Sequence, residues 1–387
     1  MLLGFKTELK LNSQQRVILA KHAGVARHAY NWGLALCQNI LTHNRQHQSE
    51  KLKFPTAIDL HKLLVAMVKS ENPWYYEVSK CAPQYALKHL ADANKSFWSK
   101  KKGFPNFKKK WRHDSFTMDG SITIESRKIR VPVIGWLKTY ERLPQGIKPK
   151  SVTISRTADR WFISFKMEVS PTVTTKNVEV VGIDLGINHL ATLSTGEVFE
   201  GAKSYKSLSG KLARLQYLNR RKEKGSANWK KANIKIAKIH RRIANIRLDT
   251  LHKITTYIAK NHGVIGIEDL NVSGMMANQK LVKAIADMGF SEFRSQLEYK
   301  CQLYGSQLVV VDRFFPSSKK CSNCGIVKES LSLSERVFKC FACGFEGDRD
   351  FNASINLEQA VSFTVTASRL DSADTSRWKE EENASDC

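Results

Sequence analysis

Residues 178–187, with the sequence VEVVGIDLGI, decide how the second half of the chain folds. The stretch is mostly apolar, which predicts a buried β-strand, and acids interrupt it only at Glu179 and Asp184. A carboxylate in a buried strand costs free energy unless it is paired or binds a metal. Asp184 is therefore either a turn-capping acid or a functional carboxylate.

Further strands and helices follow this strand in a regular order. We predict strands at 189–194, near Val198, at 264–267 and at 307–311, with helices between the later ones. Glu268 ends the fourth strand, and Asp350 begins the last helix. This order matches a ribonuclease-H-like sheet, in which the first and fourth strands are neighbours and the last helix crosses their ends.

The three acids in this pattern suggest metal-dependent chemistry. Clustered carboxylates repel one another and stay ionised only when cations neutralise them, and two Mg²⁺ ions would do so. Such a pair lowers the pKa of an attacking water and stabilises the leaving oxygen of a phosphodiester. We therefore predict catalytic, magnesium-binding roles for Asp184, Glu268 and Asp350. Asp269 and Asp348 are the rival ligands. We assign Asp269 to a supporting or a surface role and Asp348 to the exit from the cysteine-containing loop at 321–343. A surface position for Glu268 is the simpler alternative.

Four of the eight cysteines form two knuckles of the C-x2-C type. Cys321 and Cys324 form the first, and Cys340 and Cys343 the second, fifteen residues further on. This spacing is typical of a structural zinc site, in which four thiolates leave no open position for water. We predict one structural Zn²⁺ bound by these four residues.

The 387 residues carry a formal net charge of +26, and their length suits two or three domains. A charge so far from zero favours a polyanionic partner such as RNA or DNA, although a basic surface without function is the alternative. The first ten residues lack the apolar block of a signal peptide, and no run is long enough to span a membrane. We expect a cytoplasmic protein that does not bind membranes.

Two segments concentrate the positive charge. Residues 95–112 carry eight basic residues and no acid, interleaved with aromatics that are either base-stacking or core residues. Residues 211–247 carry thirteen basic residues and one acid on two predicted helices divided at Gly225 and Ser226. The candidate nucleic-acid contacts are Lys100, Lys101, Lys102, Lys108, Lys109, Lys110, Arg112, Arg220, Arg221, Lys230, Lys231, Arg241 and Arg242.

The N-terminal part combines strand and helix patterns. A strand at 5–11 precedes a helical region that begins at Asn12 and Gln15 and extends to about residue 113, and prolines divide this region into several helices. A period of two then marks short strands up to about residue 169, and the strand at 5–11 is expected to pair with them. We predict an α/β multi-domain protein whose N-terminal β-barrel carries a helical insertion and whose mixed sheet carries an inserted zinc ribbon.

Several motifs together resemble the TnpB (OrfB) family of transposon-encoded RNA-guided nucleases, relatives of compact type V CRISPR nucleases. They are GIDLGINHLA at 182–191, IEDL at 267–270, the two knuckles, and DRDFNA at 348–353. The segments AYNW at 29–32 and FPNFK at 104–108 are similar to the family's N-terminal half.

The resemblance implies a domain plan. The plan comprises a wedge-like barrel at 1–12 and 113–176, a helical recognition domain at 13–112, a RuvC nuclease domain at 177–320 and 344–357, and a zinc ribbon at 321–343. Residues 358–387 lie outside the resemblance, and their acidic, Ser- and Thr-rich composition predicts a disordered tail.

The resemblance also implies a guide RNA from the transposon end and cleavage of double-stranded target DNA beside a short motif. The guide would supply sequence specificity through base pairing. Because all three acids are present, cleavage is favoured over a guided DNA-binding regulator or transposition accessory factor with a silent nuclease. A strand-joining recombinase ranks last, since no nucleophilic Tyr or Ser motif stands out.

Overall fold

The computed structural model describes residues 1–112, 114–332 and 335–362. The chain divides into two compact units, Met1–Val169 and Ser170–Cys387. Most of the predicted acidic tail, residues 363–387, lies outside the described residues. Within the described residues, no helix is both long enough and apolar enough to cross a membrane.

The first unit contains seven strands and three α-helices among its described residues. In chain order these are β1 (Leu2–Lys10), α1 (Ser13–Gln46), α2 (Ala57–Leu64), α3 (Cys81–Trp98), β2 (Ser115–Asp119), β3 (Thr123–Glu125), β4 (Lys128–Val131), β5 (Gly135–Thr139), β6 (Ser151–Thr157) and β7 (Arg160–Glu168). A π-helical turn at Val65–Lys69 continues α2, and a 3₁₀ turn follows at Pro73–Tyr75.

The predicted helix start after the first strand is confirmed in detail. The Asn12 side chain accepts a hydrogen bond from the Gln15 backbone N–H (2.8 Å), and the Gln15 side chain accepts one from the Asn12 N–H (3.1 Å). Such a capping box satisfies two backbone donors that the first turn leaves free. The prolines act less uniformly than predicted, because Pro83 lies in the first turn of α3, where a missing N–H costs little.

The seven strands form one sheet in the order β2-β6-β7-β1-β5-β4-β3. The first strand is shared, since Leu2–Glu8 pairs with β7 while Leu9 and Lys10 pair with β5. The predicted pairing of the N-terminal strand with this β module is therefore confirmed. Within residues 114–169 and β1, the end strands β2 and β3 are not paired with each other, so the predicted closed barrel is not shown and the described sheet is open.

The helices of the first unit pack closely on one another. An added Cβ at Gly33 of α1 would lie 2.8 Å from a Leu87 methyl group and 3.0 Å from one of Leu90, both on α3. These leucines are fully buried in a core that also contains sheet residues such as Met118 and Ile129. One core therefore joins the helices to the sheet.

The second unit contains a mixed sheet, a helical hairpin and a two-stranded ribbon. Its elements are β8 (Val178–Asp184), β9 (Ala191–Leu193), β10 (Val198–Phe199), α4 (Ser204–Arg220), α5 (Ala227–Asn261), β11 (His262–Glu268), α6 (Val272–Met276), α7 (Val282–Met288), α8 (Phe290–Tyr304), β12 (Gln307–Val311), β13 (Val337–Lys339) and β14 (Glu346–Asp348). A last helix, α9, occupies residues 349–362 of the described chain.

The sheet order β10-β9-β8-β11-β12 places the first and fourth strands side by side, as predicted. β8 and β11 are parallel, with Ile183 opposite Ile267. β12 extends the parallel part, and β9 and β10 add antiparallel strands. Asp184 and Glu268 therefore end neighbouring strands at the same edge of the sheet.

The last helix lies directly against the strand that carries Asp184. An added Cβ at Gly182 would lie 2.0 Å from the Ser354 carbonyl oxygen and 2.3 Å from the Glu358 nitrogen. Only glycine permits this approach of helix backbone to strand backbone. Residues 358–362, which the domain plan assigns to the tail, continue α9, and Val361 is fully buried.

The predicted helical hairpin is also present. α4 and α5 are joined around Gly225, and the Ser226 side chain caps α5 by accepting a hydrogen bond from the Trp229 N–H. Leu212, Ile239 and Ile243 form the small core between the two helices. Ile246, three residues after Ile243 on α5, remains 37% exposed.

Candidate functional site

Three elements bring the predicted carboxylates to one place. Asp184 ends β8, Glu268 ends the adjacent strand β11, and Asp350 lies in the first turn of α9. An added Cβ at Gly186 would lie 3.9 Å from the Asp350 carboxylate, so that acid faces the loop after Asp184. All three side chains are partly buried.

The electrostatics of the site reflect the proximity of these acids. Burial raises the pKa of Asp184 to about 8, with repulsion from Asp350 and Glu268 adding to the effect. Burial also raises the pKa of Glu268, while a hydrogen bond from Ser317 opposes that increase. The folded chain thus holds mutually repelling carboxylates, an arrangement that a bound cation stabilises.

The acids are neighbours in a looser arrangement than the cysteines. Among the described residues, the four cysteines alone form a group of three or more His, Cys, Asp or Glu ligand atoms within 4.8 Å of one another. Two-metal phosphodiester sites hold ions about 3.5–4 Å apart, so their carboxylates need not converge on one point. Oxygen donors of this kind fit Mg²⁺, which prefers carboxylates and water.

Asp269, the alternative ligand to Glu268, is ion-paired with two arginines. Arg294 donates to one carboxylate oxygen (2.6 Å), and Arg313 donates to the other (2.7 Å). These bonds lower the pKa of Asp269 and keep it ionised. Sequence reasoning left a supporting and a surface role open for Asp269, and these contacts favour the supporting role.

Asp348, the rival of Asp350, caps the last helix. Its carboxylate accepts a hydrogen bond from the Phe351 backbone N–H (2.9 Å), the contact of an N-cap acid. Asp348 also ends β14, the last strand of the cysteine loop. The predicted position at the exit from that loop is where the structure places it.

Sequence reasoning missed the residues that fasten α9 to the loop before the first knuckle. The Asn352 amide donates to the Lys320 carbonyl (2.8 Å), and its oxygen accepts from the Ser322 N–H (2.9 Å). The Asn356 amide donates to the Ser317 (2.8 Å) and Lys320 (2.7 Å) carbonyls. Both asparagines are fully buried, and their spacing of four on a largely apolar helix was the available signal.

The four cysteines are arranged to hold one metal ion. The Sγ atoms of Cys321 and Cys343 lie 3.7 Å apart, and those of Cys324 and Cys340 lie 3.6 Å apart. A tetrahedral zinc site with bonds of ~2.3 Å has sulfur atoms about 3.8 Å apart, whereas a disulfide would bring them to about 2 Å. The thiols therefore fit a tetrahedral metal site.

Backbone donors favour thiolates in the second knuckle. N–H groups of Cys343 and Ala342 lower the pKa of Cys340, and the Phe345 N–H with the Asn323 amide lowers that of Cys343 to about 6. Thiolates are the form that binds zinc. Gly325 and Gly344 follow the knuckles with positive φ angles of 79° and 70°, the conformation that lets each turn close.

The first basic segment divides into exposed and anchored residues. Lys108 is the exception to the prediction, because its ammonium lies 4.0 Å from the Tyr30 ring centre and burial lowers its pKa. Asn31 binds both the N–H and the carbonyl of Lys108, so this lysine holds the segment in place. The remaining candidates are exposed: Lys100, Lys101, Lys102, Lys109, Lys110 and Arg112.

The aromatic rings of that segment also divide. Phe104 packs against the core, whereas Trp111 is 61% exposed. Trp111 lies under the Arg156 guanidinium, 4.6 Å from ring centre to Cζ, which orients the ring in solvent. Neither the stacking nor the core interpretation therefore holds for the whole set.

The hairpin exposes most of its predicted contacts. Arg220, Arg221, Lys230, Lys231 and Arg242 are exposed, and Arg241 is partly buried. The Arg221 guanidinium stacks on the Tyr217 ring at 4.7 Å. The hairpin thus presents a basic surface opposite its apolar seam.

Family models match three parts of the chain. Residues 163–279 match a model described as "Probable transposase", and residues 290–357 match "Cas12f1-like, TNB domain". Residues 1–46 match "Helix-turn-helix domain", although here they form a strand and one continuous helix.

Relatives cover most of the chain. A "Putative RNA-guided DNA endonuclease" of Streptomyces pristinaespiralis is 41% identical over 73% of this chain and 71% of its own length. "Putative RNA-guided DNA endonuclease InsQ" of Escherichia coli (strain K12) is 34% identical over 91% and 90%. A chain from the structure titled "Cryo-EM structure of the Cas12f1-sgRNA-target DNA complex" shares the fold, with a TM-score of 0.52, 15% identity and 89% and 83% coverage. The resemblance drawn from the motifs is thereby confirmed, and the chain belongs to the TnpB (OrfB) family.

Proposed function

We propose that this protein is an RNA-guided DNA endonuclease that cleaves target DNA by RuvC-type, two-metal phosphodiester hydrolysis. The observation that carries the proposal is the parallel pairing of β8 with β11, with α9 packed against β8. That arrangement gathers carboxylates from three distant parts of the chain. The names of the relatives supply the substrate class, a DNA cleaved under RNA guidance.

Each acid has a role in this proposal. Asp184, Glu268 and Asp350 hold Mg²⁺, which would supply a more acidic attacking water and stabilise charge on the leaving oxygen. Ser317 orients Glu268 through its hydroxyl, and Arg294 with Arg313 engages both carboxylate oxygens of Asp269. The protein's own contribution is to keep mutually repelling carboxylates close together.

The cysteine cluster is proposed to bind structural Zn²⁺. Support comes from the tetrahedral spacing of the sulfur atoms and from the bonds that α9 makes to residues 317–322. Closure of this loop would fix Ser317 beside Glu268. Metal analysis of purified protein should find about one zinc per chain.

The basic surfaces are proposed to bind a guide RNA and its hybrid with DNA. The exposed lysines and arginines of 95–112 and of the α4–α5 hairpin would contact phosphates, while pairing reads the sequence. The first unit would supply a wedge-like domain, built on its open sheet, and a helical recognition domain, and it would read a short motif beside the target. Transposon maintenance in a prokaryotic cytoplasm is the proposed biological setting.

The test is guide-directed cutting. Protein is purified with its RNA, the RNA is sequenced, and plasmids carrying the matching sequence beside randomised flanks are incubated with Mg²⁺. We expect cutting at the matched site beside one flanking motif. The wild-type protein failing to cut any plasmid in Mg²⁺ or Mn²⁺ would contradict the proposal, and tight guided binding without cutting would favour the regulator.

The catalytic assignment has its own matched test. Asp184→Ala, Glu268→Ala and Asp350→Ala should each abolish cutting and leave RNA binding intact, because each removes a metal ligand. Asp269→Asn should keep most of the activity, since that acid is bound by arginines. Cutting at the wild-type rate by any of the three alanine variants would reject the assignment.

A further inference from the structure

Phe314 is the most exposed large apolar side chain among the described residues, at 87%. It follows β12 in the loop that leads to the first cysteine knuckle. An exposed aromatic ring of this kind is shielded from water only when a partner covers it. Its neighbours in the loop indicate which partner that is.

The backbone around this ring is tightly bonded. The Asp312 carboxylate accepts from the Phe314 N–H (2.8 Å), and the Asp312 carbonyl accepts from the Phe315 N–H (3.0 Å). The Phe315 carbonyl accepts from the Ser317 N–H (2.8 Å). The ring therefore stands on a turn with fixed geometry, so little conformational entropy is lost when a partner stacks on it.

The same turn is bonded on both sides to the carboxylate site. Arg313 binds the Asp269 carboxylate (2.7 Å) and carbonyl oxygen (3.2 Å), next to Glu268. Ser317 bonds to the Glu268 carboxyl group itself. Phe314 lies between these two anchors in the chain, so the turn that carries its ring is attached to the acids that are proposed to cut.

The charge around the ring favours nucleic acid over protein. Residues 312–329 contain four basic residues and two acids, Asp312 and Glu329. Arg313 is paired with Asp269, which leaves Lys319, Lys320 and Lys328 to meet phosphates. A flat base would cover the ring, since stacking on exposed aromatics is how proteins hold single strands without reading their sequence.

We infer that Phe314 is a positioning residue that stacks on a base of the DNA strand entering the carboxylate site and so fixes the scissile phosphate. This inference rests on the proposed function and adds a specific contact to it. Removal of the ring should slow cutting about 5- to 150-fold, the range expected for removal of one base–aromatic stack.

The first experiment pairs protein and DNA variants. The cutting rate is measured for three RNA-loaded proteins: wild type, Phe314→Leu and Phe314→Trp. The targets match the guide, and each carries a single abasic nucleotide near the cut. On the intact target, we expect Phe314→Leu to cut slowly and Phe314→Trp to cut at close to the wild-type rate. At one position, base removal should slow the wild type to the Phe314→Leu rate and leave Phe314→Leu unchanged. Tyr140→Leu, which removes another exposed ring (56%), should cut normally.

Two results would overturn the inference. One is Phe314→Leu cutting at the wild-type rate. The other is every abasic position slowing both proteins by the same factor, because a loss of fold alone would act without regard to the base.

A second experiment does not depend on cutting. Single-stranded DNA carrying 5-iodouracil is irradiated with the RNA-bound protein, and crosslinked tryptic peptides are sequenced. Crosslinking at Phe314 within peptide 314–319 supports the inference even if the wild-type protein proves unable to cut. Crosslinks at other aromatic rings with none in that peptide would overturn the inference. The proposed function is tested separately, by the cutting assay.

Discussion

At the scale of single residues, the carboxylate site depends on a neighbour outside the three acids that are proposed to bind metal. Ser317 is almost fully buried and bonds to the Glu268 carboxyl group, and this bond opposes the rise of that acid's pKa. A partner that orients a metal-binding carboxylate and keeps it ionised acts on metal affinity without touching the substrate.

Ser317→Ala should therefore lower cutting by about 10- to 100-fold and raise the Mg²⁺ concentration needed for half-maximal rate. The physical reason is that without the Ser317 hydroxyl the Glu268 carboxyl group is less well oriented and more easily protonated. The measurement is a Mg²⁺ titration of the cutting rate. Ser318→Ala, at the neighbouring position, should match the wild type, and an unchanged Mg²⁺ requirement in Ser317→Ala would contradict the role.

A buried lysine gives a second prediction at this scale. Lys300 is 4% exposed and donates to the His252 carbonyl (2.8 Å) and the Thr255 hydroxyl (2.7 Å), and burial lowers its pKa to about 8 from 10.5. Between these values the unfolded chain binds a proton that the folded chain lacks, so folding stability rises with pH across that window.

The free energy of unfolding should then gain a contribution on the order of 3 kcal/mol from Lys300 between pH 8 and pH 10.5. Lys300→Met should lack this contribution, because no proton is exchanged at that position. Urea unfolding at several pH values measures the difference between the two proteins. Parallel pH profiles for wild type and variant would contradict the prediction.

At the scale of elements, the contact between β8 and α9 decides whether the site forms. Asp184 is on the strand and Asp350 on the helix, and the helix backbone approaches the strand at Gly182. A side chain at this position would push the two elements apart, and the two acids would separate with them.

Gly182→Ala should lower the free energy of unfolding by about 3 kcal/mol, because its Cβ would overlap backbone atoms that have no room to move. Gly210→Ala is the matched control. It lies in α4 with nothing within 4 Å of an added Cβ, and it should be neutral or slightly stabilising. Equal stability of the two variants in thermal or urea unfolding would disprove the close approach.

The same elements show what the sequence could predict. Apolar runs gave β12 with its observed bounds, and the order of strands placed Asp184 beside Glu268 in adjacent strands. The spacing of Asn352 and Asn356 places both on one face of the helix, but it does not show that they bond to carbonyls more than 30 residues away. The contact of Lys108 with Tyr30 leaves no local pattern at all. Periodicity records which face of an element is buried, but not which polar groups meet there.

At the scale of the whole molecule, the charges behind the net value of +26 are unevenly distributed. The acids of the proposed catalytic site are partly buried, whereas most basic residues of the hairpin are exposed. Exposed charges attract phosphates and release counterions, so RNA affinity should fall steeply with salt.

The contribution of the α4–α5 hairpin to the salt dependence of RNA binding can be measured with a charge-matched pair of variants. Replacing Arg220, Arg221, Lys230 and Lys231 with Gln should weaken RNA binding and reduce the slope of log affinity against log salt by roughly 0.7 for each phosphate that is no longer bound. Replacing Lys10, Lys51, Lys53 and Lys138, which are exposed elsewhere, lowers the net charge equally. Overall charge acts at long range, whereas bound phosphates release counterions locally, so this control should keep the wild-type slope. Equal slopes for the two variants would mean that the hairpin does not bind the RNA.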